Sequence, residues 1–271
     1  MSNPKNRVLV IVGMHRSMTS LAAQWLYKCG LHVGDDLYGA GIGNVQGHYE
    51  DNDFINLHDH MLKINNSHWR DFSSQSFQFD AYSRQKSRML IELKSELNEQ
   101  WGWKDPRTCL FLDHWCTLLP EGRYLIIYRP FAGVVDSFLR REFKVNNRAE
   151  YVLEFRKYAS KLLNYDKKKE DNLRLWMHYN VKILEFIKGT DKERFLVLRS
   201  DQLLKESEQI FDFIKNNWGF ELDFTPVKSI YDADITKQAS AAALKGVDPA
   251  LIEKAVNIEE KLGKHCFKQI E

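Results

Sequence analysis

Paired cysteines are what this chain most plainly lacks. Its four, Cys29, Cys109, Cys116 and Cys266, are scattered, with no C-x-x-C spacing among them. That argues against a zinc ribbon or a redox motif and makes reduced, cytoplasmic thiols the expectation. Long apolar runs are missing too. None approaches the length of a membrane span, and no secretory core follows Met1–Asn6, so neither a leader nor an anchor is expected. Net charge is scarce, at +2. Bulk electrostatics therefore give no reason to expect nucleic acid or an anionic membrane as a partner. There is no internal repeat and no low-complexity tract. What remains is an ordinary soluble composition, 44% hydrophobic and 28% charged over 271 residues. It is long enough for ample core and is read as a single domain over 1–271.

The most informative segment is Val8-Leu9-Val10-Ile11-Val12-Gly13-Met14-His15-Arg16-Ser17-Met18-Thr19-Ser20-Leu21. An apolar run ends at a glycine, a cationic, hydroxyl-rich turn follows, and an apolar-periodic segment begins. This reads as buried strand, anion-binding loop and helix N-terminus, with unpaired N–H groups and the positive end of the helix dipole meeting at one spot. In the triphosphate loop G-x-x-x-x-G-K-[ST], Gly13 would be the first position and Ser20 the last. Met18 stands where the second glycine belongs, and Thr19 where the phosphate-binding lysine belongs. The fixed charge has moved to Arg16. Such a site suits an anion but not obviously a magnesium triphosphate.

Strands and helices alternate along the rest of the chain. Residues 7–13 read as strand and 18–29 as helix, closed near Gly30. Gly34, Gly39, Gly41, Gly43 and Gly47 make 34–49 a mobile loop and a candidate substrate mouth. Asn52 is a possible N-cap for a helix carrying Phe54, Leu57, His58 and Met61. An aromatic-bearing loop is expected over 65–82, a helix over 83–98, and a short extended piece at Trp101–Arg107. Tyr124–Tyr128 reads as a buried parallel strand before Arg129-Pro130, with a helix over 133–141. Helices near 149–164 and 171–188 follow, with Lys167–Lys169 between them as a solvated turn. Then come a strand at 195–198, a helix at 202–217, and a last helix capped by Asp248-Pro249 and running to about Gly263. This pattern predicts a three-layer α/β fold with a mostly parallel, doubly wound sheet and ligands at the strands' carboxyl ends. Gly13, Lys104, Arg129 and Arg199 all stand at or just past such ends.

Three segments carry a resemblance. They are Gly13–Ser20; Trp103-Lys104-Asp105-Pro106-Arg107; and Tyr128-Arg129-Pro130 followed by Ser137, eight residues after Arg129. In that order they resemble the sulfotransferases that use 3′-phosphoadenosine 5′-phosphosulfate (PAPS), in their bacterial branch, over roughly residues 7–145. That family's first loop reads G-x-x-R-S-G-T-[ST], and its second phosphate motif pairs a strand-end arginine with a serine eight residues on. The resemblance implies a fold like that of the P-loop nucleoside triphosphatases and a 5′-phosphosulfate site at His15, Arg16, Ser17, Met18, Thr19 and Ser20. It implies a 3′-phosphate site at Arg129 and Ser137. PAPS would be the donor, adenosine 3′,5′-bisphosphate the product, and no metal would be required. The expected partner is a small-molecule or carbohydrate acceptor, with no nucleic acid or membrane.

Arg16 and Lys104 are then the cations expected beside the oxygen that gains charge in transfer. The histidine that the family's phenol and steroid branch carries just after the lysine is missing, since Lys104-Asp105-Pro106 stands there. Glu50, in Gly47-His48-Tyr49-Glu50, resembles the bacterial G-x-x-E segment and is the expected general base. Asp105 is the reserve, and His15, His48, His58 and His60 are further candidates. Met18 fits the loop if its dihedrals are helical; a positive φ there puts the donor pocket in question. The adenine-side tyrosine of the family's Tyr-Glu-Asp-Leu segment is replaced by Ser200. The rival functions are a P-loop-type kinase, which should carry lysine at Thr19, and a non-catalytic nucleotide-binding protein.

Overall fold

Period-two alternation within the apolar runs builds the sheet and sorts its two faces. A computed structural model describes residues 6–39, 47–73, 76–148, 165–230 and 241–268. Four parallel strands, β1 (Arg7–Val12), β2 (Gln100–Lys104), β3 (Arg123–Tyr128) and β4 (Phe195–Arg199), lie in the order β2-β1-β3-β4. Val8, Val10, Val12, Tyr124, Ile126, Tyr128, Phe195 and Val197 face one core. Leu9, Ile11, Leu125, Ile127, Leu196 and Leu198 face the other. Both faces are covered, which explains why these strands read as continuous apolar runs.

Helix α1 (Thr19–Lys28) packs on the second face. Helices α2 (Asn52–Ile64) and α3 (Ala81–Leu97) lie on the first, with α4 (Leu112–Leu118), α5 (Phe131–Arg148) and α6 (Tyr165–Gly189). A short α7 (Gln202–Lys205) and then α8 (Ser207–Trp218) return to the second face, and α9 (Pro249–Gly263) to the first. The expected three-layer α/β architecture is therefore observed. No helix among the described residues is long and apolar enough to cross a membrane.

Several boundaries differ from the sequence reading. Asp51, not Asn52, caps α2, because its carboxylate accepts the Asp53 amide at 2.9 Å. The extended piece at 101–107 stops at Lys104. Pro106 opens a 3-10 helix (Pro106–Phe111), a position where a missing N–H costs nothing. Helix α5 runs past Arg141, and the 202–217 helix is broken at Glu206. Lys167–Lys169 lie inside α6 rather than in a turn. Lys169 is buried, and its ammonium bonds Asp166 and the Lys245 carbonyl at 2.8 and 2.5 Å. The helix expected at 149–164 and residues 40–46 of the glycine-rich loop fall outside the described residues.

Candidate active site

The site forms where β1, β2 and β3 end. Gly13 leaves β1 so close to β3 that a Cβ would lie 2.3 Å from the Ile127 carbonyl oxygen and 2.6 Å from Thr19 Cγ2. Only a residue without a side chain lets the chain turn there. The loop then bends twice through the left-handed region, at Arg16 (φ 70°) and Met18 (φ 69°, ψ 16°). Of the two conformations left open for Met18, the positive φ, the one that puts the donor pocket in question, is observed. Methionine holds the glycine-type conformation, so the loop keeps its shape under strain. Left-handed residues in such turns aim neighbouring N–H groups to one side and make an anion-binding concavity. Met18 gives α1 no side-chain cap, so the helix's first amides stay available to the loop. Ser17 Oγ and His15 Nε2 are buried with no hydrogen-bond partner among the described residues.

Two contacts tie the three sequence segments together. Arg16 Nε donates to Ser137 Oγ at 2.8 Å, joining the first loop to α5. Lys104 Nζ donates to Ser20 Oγ at 3.2 Å and to Glu50 Oε1 at 2.5 Å, joining β2 to the loop and to the segment before α2. Arg129 reaches back from the end of β3, its Nη1 3.4 Å from the Arg16 carbonyl oxygen. It lies over the first turn of α5, where a Cβ on Gly133 would stand 2.7 Å from its Nε.

Burial sets the charges. It pushes the Glu50 carboxyl up and the Lys104 ammonium down, each resisting the other's pull. Burial and the nearby Arg141, Arg129 and Arg140 lower the Arg16 guanidinium to about 10. His15, desolvated beneath Trp69 with the rings 4.4 Å apart, is lowered to about 3 and His48 to about 4.

Asp105 takes a different part from the reserve base of the sequence reading. It is fully buried and accepts from the Arg107 amide at 3.0 Å, from Arg107 Nε at 2.9 Å and from His58 Nδ1 at 2.8 Å. Burial alone would raise its pKa. Arg107 and His58 override that and hold the carboxyl far below the usual range. With its lone pairs engaged, it is a structural anion that fixes the turn after Lys104. His58 is equally occupied. Trp115 Nε1, which can only donate, gives its proton to His58 Nε2 at 2.9 Å, so Nδ1 carries the hydrogen bonded to Asp105. His60 pairs with Asp80 at 3.0 Å. Arg199, expected at the same rim, forks onto its neighbour Asp201 at 2.5 and 2.8 Å and is exposed.

Glu50 is held from behind. The Tyr38 amide donates to its carbonyl at 2.7 Å, and Leu37 bridges to Asp51. Lys94 of α3, almost fully buried, donates to Asp51 at 2.6 Å and also to Asp35. Sequence reasoning missed this clamp, whose members lie far apart in the chain. It also missed Arg141, although its spacing of four from Ser137 placed both on one helical face.

No family model matches the chain, and no curated protein matches it. Solved structures do. A sulfotransferase from Alicyclobacillus acidocaldarius superposes with a TM-score of 0.54 at 12% identity, covering 97% of each chain. The sulfotransferase domain of the Synechococcus PCC 7002 olefin synthase gives 0.52 at 15% identity, covering 99% of this chain and 98% of its own. The sulfotransferase domain of the curacin biosynthetic pathway gives 0.52 at 14%, covering 95% and 98%. The resemblance first carried by three short segments therefore extends along nearly the whole chain, which has the fold of the bacterial sulfotransferases.

Proposed function

We propose that the protein is a sulfotransferase that moves the sulfuryl group of PAPS to the hydroxyl of a sugar or other small alcohol. One observation carries the reading. Arg16, Ser20, Lys104, Glu50, Arg129 and Ser137 converge at one end of the sheet, through Arg16–Ser137 at 2.8 Å and Lys104–Glu50 at 2.5 Å. These groups suit a donor with two anionic ends. The loop amides, the orphaned Ser17 hydroxyl and Arg16 fit a phosphosulfate, and Arg129 with Ser137 fits a second phosphate.

The chemistry follows from the placement. As the acceptor oxygen bonds to sulfur, the bond from sulfur to the bridging oxygen breaks, and negative charge collects on that oxygen. Arg16 and Lys104 are placed to stabilise it. Glu50 takes the acceptor's proton, and its raised pKa makes it a better base than an exposed carboxylate. Lys104 touches both the donor loop and the base, so it aligns the two halves of the reaction.

The test is thermal stabilisation by adenosine 3′,5′-bisphosphate or ATP, each with magnesium or EDTA. Bisphosphate at a hundred times its Kd should add about 2.7 kcal/mol, whether or not EDTA is present. Arg129→Ala should abolish this shift. Glu50→Gln should keep it while losing transfer of labelled sulfate from PAPS. Stabilisation by magnesium ATP alone would make the protein a kinase-like nucleotide binder instead.

A further inference from the structure

Helix α3 has its amphipathicity partly inverted. The face turned to the core carries Ser83, Ser87 and Lys94 beside Leu90 and Ile91. Solvent meets Tyr82, Met89, Leu93 and Leu97, each between 50% and 64% exposed. Steps of seven, four and four residues keep those four within about 80° of one another around the helix. Four of the eleven exposed large hydrophobics among the described residues thus share one stripe, about 22 Å long. Apolar residues scattered singly over a surface need no explanation, whereas a contiguous stripe marks a contact.

The charges beside the stripe indicate what the contact is. Arg84, Lys86 and Arg88 stand in the first half of α3, and Glu92 and Glu96 in the second. The remaining cation, Lys94, is buried against Asp51 and Asp35. This order opposes the helix's own dipole, which favours acids near the N-terminus and bases near the C-terminus. It is therefore unfavourable to α3 alone. An antiparallel copy of the same helix reverses the sign of the effect. The basic half of each helix then lies along the acidic half of the other, and the two dipoles oppose. A parallel copy would set like charges side by side. A surface of one sign, such as an anionic membrane, would attract one half and repel the other. The length is adequate as well. A standard interface takes about 800 Å² from each partner, a patch about 30 Å across, and the 17 residues of α3 span about 25 Å.

We infer that two copies of this protein pair antiparallel through α3 about a two-fold axis, burying Tyr82, Met89, Leu93 and Leu97 between them. Arg84 and Arg88 of each copy then face Glu92 and Glu96 of the other. The pairing stands apart from the sulfotransferase reading and survives its failure.

The test is sedimentation velocity on the full chain, from micromolar to submillimolar concentration. The mass should rise from one chain to two. Leu93→Glu, at an exposed position, should hold it at one chain with the circular dichroism unchanged. Arg84→Glu/Arg88→Glu and Glu92→Arg/Glu96→Arg should each be monomeric alone and pair when mixed, since one then carries an acidic stripe and the other a basic one. Neither opposes the helix dipole, so both should stay folded. Tyr82→Cys mixed with Leu97→Cys should cross-link on oxidation well above the wild-type background, and Leu97→Cys alone should not. A mass of one chain at every concentration would overturn the inference. So would a dimer that survives Leu93→Glu, charge variants that fail to pair when mixed, or Leu97→Cys that links to itself. A monomer that binds phosphatidylcholine vesicles, and loses them in Leu93→Glu, would give the stripe to a lipid surface and overturn the pairing too.

Discussion

Replacing Lys104 with methionine tests the centre of the site without touching the loop backbone. Methionine fills much of the same volume but removes the ammonium from a place that is 1% exposed, beside Glu50 at 9%. Breaking a buried pair by deleting one partner costs about 3–5 kcal/mol, because the remaining charge is left without compensation. Glu50 can escape part of that cost by taking up a proton. Burial already raises its pKa, and loss of Lys104 removes the strongest opposing influence. The sign follows from linkage. A carboxyl whose folded pKa exceeds its unfolded value binds more protons when folded, so stability falls as pH rises from the unfolded pKa, near 4.5, to the folded one. The slope approaches about 1.4 kcal/mol per pH unit. Lys104→Met should therefore show most of its destabilisation at pH 8 and little at pH 5. Urea unfolding across that range measures it. Lys104→Met/Glu50→Gln, with no charge left to strand, should recover stability at pH 8 and lose the slope. A destabilisation that is flat in pH, or a double variant no better than the single one, would refute the buried pair.

Two further substitutions probe the donor side. Gly133→Ala puts a methyl 2.7 Å from Arg129 Nε, at the flexible end of a side chain, so Arg129 should swing away with little loss of stability. Bisphosphate affinity, measured by calorimetry, should drop about tenfold, as for the loss of one charged hydrogen bond. Met18→Gly removes a left-handed methionine that costs about 1–2 kcal/mol, against about 0.5–1 for glycine's extra freedom when unfolded. Differential scanning calorimetry should show a Tm raised by about 1–3 °C, and a fall in Tm would contradict the strained loop.

The layers and the loop were legible because their signals are local. Alternating apolar residues at Val8–Val12 and Tyr124–Tyr128 encode two covered faces, and a glycine followed by basic and hydroxyl residues encodes the turn. The spacing of Arg129 and Ser137 likewise spans a single strand-to-helix junction. The pairing of Glu50 with Lys104 was harder to read. It spans 54 residues and depends on β2 lying beside β1, so the sequence could nominate both residues but not their contact. Asp105 and His58 looked like reactive groups because residue type carries no information about saturation; Arg107 and Trp115 supply that. The conformation of Met18 stayed open for a related reason: it is decided by tertiary closure of the loop, which the local sequence does not encode.

Lys104 bonds to the hydroxyl of the first loop and to Glu50 with one ammonium, and this makes the two sites thermodynamically reciprocal. An anion arriving on the loop competes for that positive field and raises the proton affinity of Glu50. By the same free energy, a proton on Glu50 strengthens the hold on the anion. Nucleotide affinity should therefore weaken as pH rises through the titration of Glu50, which bisphosphate titrations from pH 5 to pH 8 would reveal. Under the proposed function, the nucleotide would then be held most tightly while Glu50 is protonated, and lose affinity as its carboxylate forms.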